Sequence, residues 1–378
     1  MNPTVTTRGL EDVVASPSSI CYIDGNRGVL AYRGYDIHDL AERSTFEETA
    51  YLLWFGKLPT AGELAGLKQQ LREASVLPKP AAELLSALQA NAPQALPMDK
   101  LRTLVSALGV FDPEARDMSR EANVRKAVRL LAQTATLVAA LDRTRKGKPA
   151  VAPANDLSLA GNFLYMLNGT RPSATAERAF DIALILHADH EFNASTFAAR
   201  VTAATLSDIH SAVTSAIGAL KGPLHGGANE AVINLLLQVG DNDPIAYVQD
   251  LIAKKVKIPG FGHRVYHTED PRATHLRQMS RELSQAAGQS QLYEHSHQIE
   301  EYIKREKKLN PNVDFYSASA YYAMGISPDL YTCIFAVSRM SGWTAHVLEQ
   351  YADNRLIRPR ADYIGPEVPQ AYVPVEQR

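Results

Sequence analysis

The chain has little cysteine. Cys21 and Cys333 are the only two in 378 residues, which excludes a disulfide framework and a cysteine-rich zinc module and suits a reducing, cytoplasmic setting. It has no excess of one charge. Lys and Arg number 39 against 41 Asp and Glu, a net charge of −2, so nothing argues for nucleic acid or an anionic membrane as partner. No apolar run approaches the ~18 residues that would suggest a membrane-spanning helix. The start, Met1 to Arg8, lacks the apolar stretch of a secretory signal. Neither an internal repeat nor a low-complexity segment occurs. What remains is an ordinary globular composition, 46% hydrophobic and 21% charged. The length suits two domains, because single cores stop growing near ~250–300 residues.

Periodicity along the chain predicts a mainly α fold. Ile20 to Tyr32 reads as a short β-hairpin, with β-prone residues flanking an Asp24-Gly25 turn. Beyond it, Glu47 to Phe55, Val124 to Leu141 and Ala228 to Val239 carry apolar residues at helical spacing, and loops rich in Pro and Gly punctuate them. Val201 to Leu220 is crowded with Ala, Ser, Thr and Gly. It is expected to be one helix, either in the core or at a subunit interface, where charge is depleted.

Several segments carry chemistry. His187, His190 and Glu191 stand at i, i+3 and i+4, so a helix would put them on one face. That face suits a metal, a hydrogen-bonded structural cluster or polar contacts to a substrate, and spacing alone does not choose. His225 precedes the helix expected from Ala228, where the positive end of the dipole disfavours an imidazolium. A neutral His225 would donate a hydrogen bond to a developing enolate oxygen; the plain alternative is a histidine closing a turn. Pro259-Gly260-Phe261-Gly262-His263 is a Gly-rich loop that completes neither the dinucleotide nor the P-loop pattern. In Asp270-Pro271-Arg272 the aspartate is a candidate N-cap, and Arg272 falls in a first helical turn where a cation is locally unfavourable. There it would hold a carboxylate or lie solvated. Asp314 is most simply the N-cap of a helix beginning near Phe315. As a base it would be strengthened by the desolvation that Val313, Phe315 and Tyr316 impose. Arg339, Arg358 and Arg360 follow an apolar helix and suit an anion or a solvated basic patch.

Taken in order, these segments resemble the citrate synthase family over nearly the whole chain. The matching runs are Tyr32-Arg33-Gly34-Tyr35, His187-Ala188-Asp189-His190-Glu191, Pro223-Leu224-His225-Gly226-Gly227-Ala228-Asn229, Gly260-Phe261-Gly262-His263, Asp270-Pro271-Arg272, Val313-Asp314-Phe315-Tyr316 and Arg358-Pro359-Arg360. The resemblance implies the citrate synthase fold: a large helical domain from 1–225 and 320–378 and a smaller helical domain, 226–319, that closes over the substrates. It implies condensation of acetyl-CoA with oxaloacetate to citryl-CoA, followed by hydrolysis to citrate and CoA. Asp314 would take the methyl proton, His225 would stabilise the enol or enolate, and His263 would polarise the ketone. His190, Arg272, Arg339 and, from a partner subunit, Arg358 would hold the oxaloacetate carboxylates. Pro259, Gly260, Phe261, Gly262 and His267 would receive CoA. No metal or other cofactor is implied, and a homodimer is.

Two residues depart from the family's wording. His267 stands where many relatives carry Lys or Arg near the CoA phosphates, and Ala318 where Gly is common. The extra N-terminal domain of the NADH-regulated hexameric type is not recognised in the sequence, so that regulation is not expected. The nearest rival is 2-methylcitrate synthase, which uses propionyl-CoA; one methylene is worth only ~1–3 kcal/mol in an apolar pocket. A His/Glu metallohydrolase and a catalytically silent helical assembly protein are rivals from other classes.

Overall fold

A computed structural model describes residues 8–10 and 13–378. Met1 to Thr7, most of the start on which the secretory-signal expectation rests, lie outside the described residues. Sixteen α-helices and one small antiparallel sheet make up the described chain, so the mainly α expectation holds. None of the helices is long and apolar enough to cross a membrane.

The expected hairpin forms from Cys21–Asp24 and Val29–Tyr32. Its turn spans Gly25 to Gly28, with the Asp24 carboxylate accepting the amides of Asn26 and Arg27, both at 3.0 Å. A third strand, Tyr35–Asp36, returns across a two-residue loop in which Arg33 (φ 51°) and Gly34 (φ 87°) are both left-handed. A tight hairpin demands that conformation, which accounts for the Tyr-Arg-Gly-Tyr wording. Tyr32 then reaches inward, and its hydroxyl donates to the Asp189 carbonyl at 2.9 Å. The hairpin is thereby tied to the turn that bears His190.

The centre of the molecule is the helix Tyr331–Ala352, buried almost throughout. It packs on Phe46–Phe55, Arg120–Arg145, Ala174–His187, Ala194–Ala203 and Ile209–Leu220. Burial on nearly every side makes it an interior helix, and small residues let its neighbours come close. Gly342 shows the limit: a Cβ there would lie 2.3 Å from the Ala188 carbonyl oxygen. A second group of helices, Ala228–Val239, Pro244–Ala253, Pro271–Ala286, Ser290–Lys307 and Val313–Ala323, packs mainly within itself.

Two expectations are corrected. Val201 to Leu220 is not one helix. The chain breaks between Ala194–Ala203 and Ile209–Leu220, where Leu206 turns left-handed (φ 62°) and Asp208 caps the second helix through the Ser211 amide at 3.0 Å. Small-residue composition masked an N-cap that wins locally because it satisfies a first-turn amide. Nor do His187, His190 and Glu191 share a helix face. The helix ends at His187, and Glu191 is left-handed (φ 52°).

Candidate active site

The Gly-rich loop and the segment fifty residues later meet as a short ladder. The Gly262 amide donates to the Asn310 carbonyl at 2.9 Å, and the Asn312 amide donates to the Gly260 carbonyl at 2.9 Å. Gly260 is left-handed (φ 82°), and a Cβ there would stand 2.8 Å from side-chain atoms of Phe315 and Val232. The loop can approach this closely only without a side chain. Phe261 turns inward against Phe315, ring centroids 4.5 Å apart. The Phe261 side chain is therefore turned away from any ligand at this loop.

Asn312 joins the two sites. Its side-chain Nδ2 donates to the Gly262 carbonyl at 3.0 Å, and its side-chain oxygen accepts the Asp314 backbone amide at 3.0 Å. Asn312 is thus the N-cap of Val313–Ala323, and the expectation that Asp314 caps is overturned. Asp314 sits one residue inside the helix, and its Oδ1 is buried without a hydrogen-bond partner. Burial pushes its carboxyl up to about 7, against the opposing charges of Arg272 and Arg339. Val313, Phe315 and Tyr316 are all buried around it, as expected.

His263 follows the glycine loop directly. Its Nδ1 accepts the amides of Val265 at 3.0 Å and Tyr266 at 3.2 Å. Amides only donate, so Nδ1 is the acceptor and a neutral ring carries its proton on Nε2. Burial, then the charge of Arg272, brings His263 down to about 4. His225 has the other assignment. Its Nε2 lies 2.8 Å from the Ser195 hydroxyl and 3.3 Å from the Ser195 amide, again a group that only donates. With Nε2 accepting, the His225 proton resides on Nδ1. His225 falls to about 4 through burial first and Arg339 second. Desolvation and the buried Arg339 both favour the neutral state that the sequence reading expected.

Ser195 is the residue that sequence reasoning missed. It sits in the first turn of Ala194–Ala203, where amides lack helical partners. One such amide serves His225, and Trp343 Nε1 donates to the Ser195 hydroxyl at 3.1 Å. The Asn193 N-cap before it was the available signal.

The anion-binding candidates separate. His190 is buried, its ring 5.2 Å from that of His263, with Nε2 3.2 Å from the Tyr266 hydroxyl. Burial and then Arg272 hold it well below the usual imidazole range. His187 points elsewhere, with Nδ1 2.8 Å from the Ala183 carbonyl oxygen. Arg339 is 1% exposed, and its Nε donates to the His187 carbonyl at 2.7 Å. A buried guanidinium held by a backbone carbonyl invites an anionic ligand. Arg272 is also buried but already forked onto Asp270, with Nε–Oδ1 2.9 Å and Nη2–Oδ2 2.7 Å. Asp270 caps the same helix through the Arg272 amide at 3.0 Å. That pairing resolves the cation in a first turn, and the expectation of a solvated Arg272 is set aside. Arg358 is exposed, beyond the last long helix.

A cleft of about 290 Å³ opens beside His263, lined also by Tyr266, His267, Asp270, Lys308 and Asn310. His267 is exposed there, its backbone amide donating to the Gly25 carbonyl at 2.9 Å. Lys308, a cation that sequence reasoning passed over, lines the same cleft.

Asp314, His225 and His263 are linked through the buried arginines: Arg272 acts on Asp314 and His263, and Arg339 on Asp314 and His225. Residues 9–360 match the family model described as citrate synthase, C-terminal domain. Citrate synthase 2 of Bacillus subtilis is 55% identical, over 98% of this chain and 99% of that protein. A 2-methylcitrate synthase of Shewanella oneidensis is 42% identical, over 99% and 98%. The citrate synthase of Thermoplasma acidophilum, solved as a ternary complex with carboxymethyl coenzyme A and oxaloacetate, superposes with a TM-score of 0.90 at 34% identity, covering 98% of each chain. The chain belongs to the citrate synthase family.

Proposed function

We propose that the chain condenses acetyl-CoA with oxaloacetate and hydrolyses the resulting citryl-CoA to citrate and CoA. The observation that carries this reading is Asp314, a desolvated carboxylate relieved of capping and left with a buried free oxygen. Desolvation makes it a stronger base toward the thioester methyl group. As it takes the proton, His225 donates its Nδ1 hydrogen to the developing enolate oxygen, with Ser195 holding the far side of the ring. The enolate carbon attacks the oxaloacetate ketone, whose oxygen receives the Nε2 hydrogen bond of His263. That oxygen becomes the alkoxide and takes up a proton there. The developing charge meets donors already in place, so little reorganisation is needed as the reaction proceeds. His190, Arg272 and Arg339 hold the oxaloacetate carboxylates in this scheme, and no metal takes part.

The helix group within 226–319 acts as a small domain that closes over the substrates and excludes water. Its packing mainly within itself supports that division. The working unit is a homodimer. Two features support it: Ser211, Thr214, Ser215 and Gly218 leave a small-residue face accessible on Ile209–Leu220, and 353–378 is exposed almost throughout. Arg358 then completes the partner's site. Pro259 to Gly262 and His267 receive CoA, the glycine loop through its backbone.

The test is thiol release from acetyl-CoA and from propionyl-CoA, each with and without oxaloacetate. Release from acetyl-CoA that requires oxaloacetate is expected. Release from neither thioester would sink the proposal, and a clear preference for propionyl-CoA would make the chain a 2-methylcitrate synthase, as its Shewanella relative is named.

A further inference from the structure

We infer that the turn of the N-terminal hairpin, Asp24 to Gly28, is a positioning element of the active site that keeps the proton of His263 on Nε2, with Gly25 its essential residue. One peptide unit links the turn to the histidine. Gly25 packs so tightly on the loop after His263 that a Cβ there would lie 1.9 Å from the Val265 carbonyl oxygen and 2.8 Å from its carbon. The peptide bond is planar. The unit that presents the Val265 oxygen to Gly25 therefore carries the Tyr266 N–H, which points at His263 Nδ1 from 3.2 Å.

The next peptide is pinned as well, because the His267 amide donates to the Gly25 carbonyl at 2.9 Å. At the far end of the turn, Gly28 is left-handed (φ 66°), and a Cβ there would lie 2.8 Å from the Thr268 hydroxyl. The turn is stiffened from within by the two hydrogen bonds that the Asn26 and Arg27 amides donate to the Asp24 carboxylate. Its contact with 265–268 thus orients the amides of Val265 and Tyr266, and those amides set the tautomer. The same loop carries the Tyr266 hydroxyl to His190, so one contact aligns both histidines on the oxaloacetate side.

A neutral imidazole with its proton on Nδ1 would turn a lone pair, not a donor, toward the ketone. The kinetic part of this inference rests on the proposed condensation; the tautomer part does not. The test is ¹⁵N NMR of histidine-labelled protein, with His263 assigned by His263→Asn, alongside steady-state kinetics. In the unaltered protein the His263 proton is expected on Nε2. In Gly25→Ala an added methyl must displace the Val265–Tyr266 peptide. His263 should then show a mixture of tautomers, and kcat per folded site should fall about tenfold or more, in line with the cost of ångström-scale misplacement. A merely structural glycine would lower Tm and leave both quantities unchanged.

Should Gly25→Ala not fold, Asp24→Ala loosens the turn without adding atoms and should shift both quantities in the same direction by less. A proton on Nδ1 in the unaltered protein overturns the inference. So does a folded turn variant with an unchanged tautomer and kcat. Absence of thiol release by the unaltered enzyme would instead indict the proposed function, leaving the tautomer result to stand alone.

Discussion

The side-chain oxygen of Asn312 lies 3.0 Å from the amide nitrogen of Asp314, so Asn312 caps the helix and the Asp314 carboxylate does not. A capping carboxylate would be satisfied by backbone donors and made a weaker base. The division of labour between two residues two positions apart is what leaves an unpaired, buried oxygen at the head of the helix.

Asp314→Asn should bind oxaloacetate yet lose at least about two orders of magnitude in turnover, the usual contribution of a general base. It should also gain stability. The folded protein holds the Asp314 proton up to about pH 7, whereas an unfolded aspartate releases it near ~3.9. Ionisation of Asp314 therefore costs nothing below about pH 4, progressively more between the two values, and its full amount above about pH 7. Thermal melts should show the variant ahead of the parent at pH 8 and the gap closing near pH 4. Equal Tm at pH 8 would contradict the buried, unpaired carboxylate.

The pH profile of kcat/KM should fall on the acid side through a group near 7, because the base must be ionised and burial has raised it to about 7. His225 and His263 are both lowered to about 4 and stay neutral across this range. An acid limb that persists unshifted in Asp314→Glu and moves in His225→Asn would assign the titration to the wrong residue.

Lys308 and His267 line the same cleft beside His263. Lys308→Ala should raise the KM for acetyl-CoA about two- to fivefold at low salt with little change in kcat, as an exposed ion pair of ~0.2–1 kcal/mol would. The effect should shrink at high ionic strength. His267→Lys should act in the opposite direction, lowering that KM.

Arg358 should act across subunits. Arg358→Ala and His225→Ala proteins, each nearly inactive alone, should recover activity when unfolded together and reassembled. A mixed dimer pairs an intact His225 with an intact Arg358 at one of its two sites. Failure to recover activity in dimers shown by light scattering to be mixed would place Arg358 in its own chain's site or outside it.

Much of this protein was legible before folding was considered. Ala228–Val239 begins and ends where periodicity put it, and the Asp270-Pro271 start of a helix has the expected cap. Less legible were features in which two local signals competed. Small residues read as one continuous helix across Val201 to Leu220, although Asp208 offered a cap in the middle. His187, His190 and Glu191 had helical spacing, but the helix stopped at the first of them.

By itself the sequence determined the mainly α class, several helices such as Ala228–Val239, and the two histidines and one aspartate that suit carbonyl chemistry. Local propensity and periodicity suffice for that, since they act within a turn or two of chain. Tertiary structure alone decided the protonation of those groups. Asp314 is raised by burial, His225 is presented by a Ser195 amide thirty residues upstream, and His263 is held by peptides that a distant hairpin pins in place. Desolvation and hydrogen-bond direction are properties of what packs around a group, and that is known only once the chain has closed on itself.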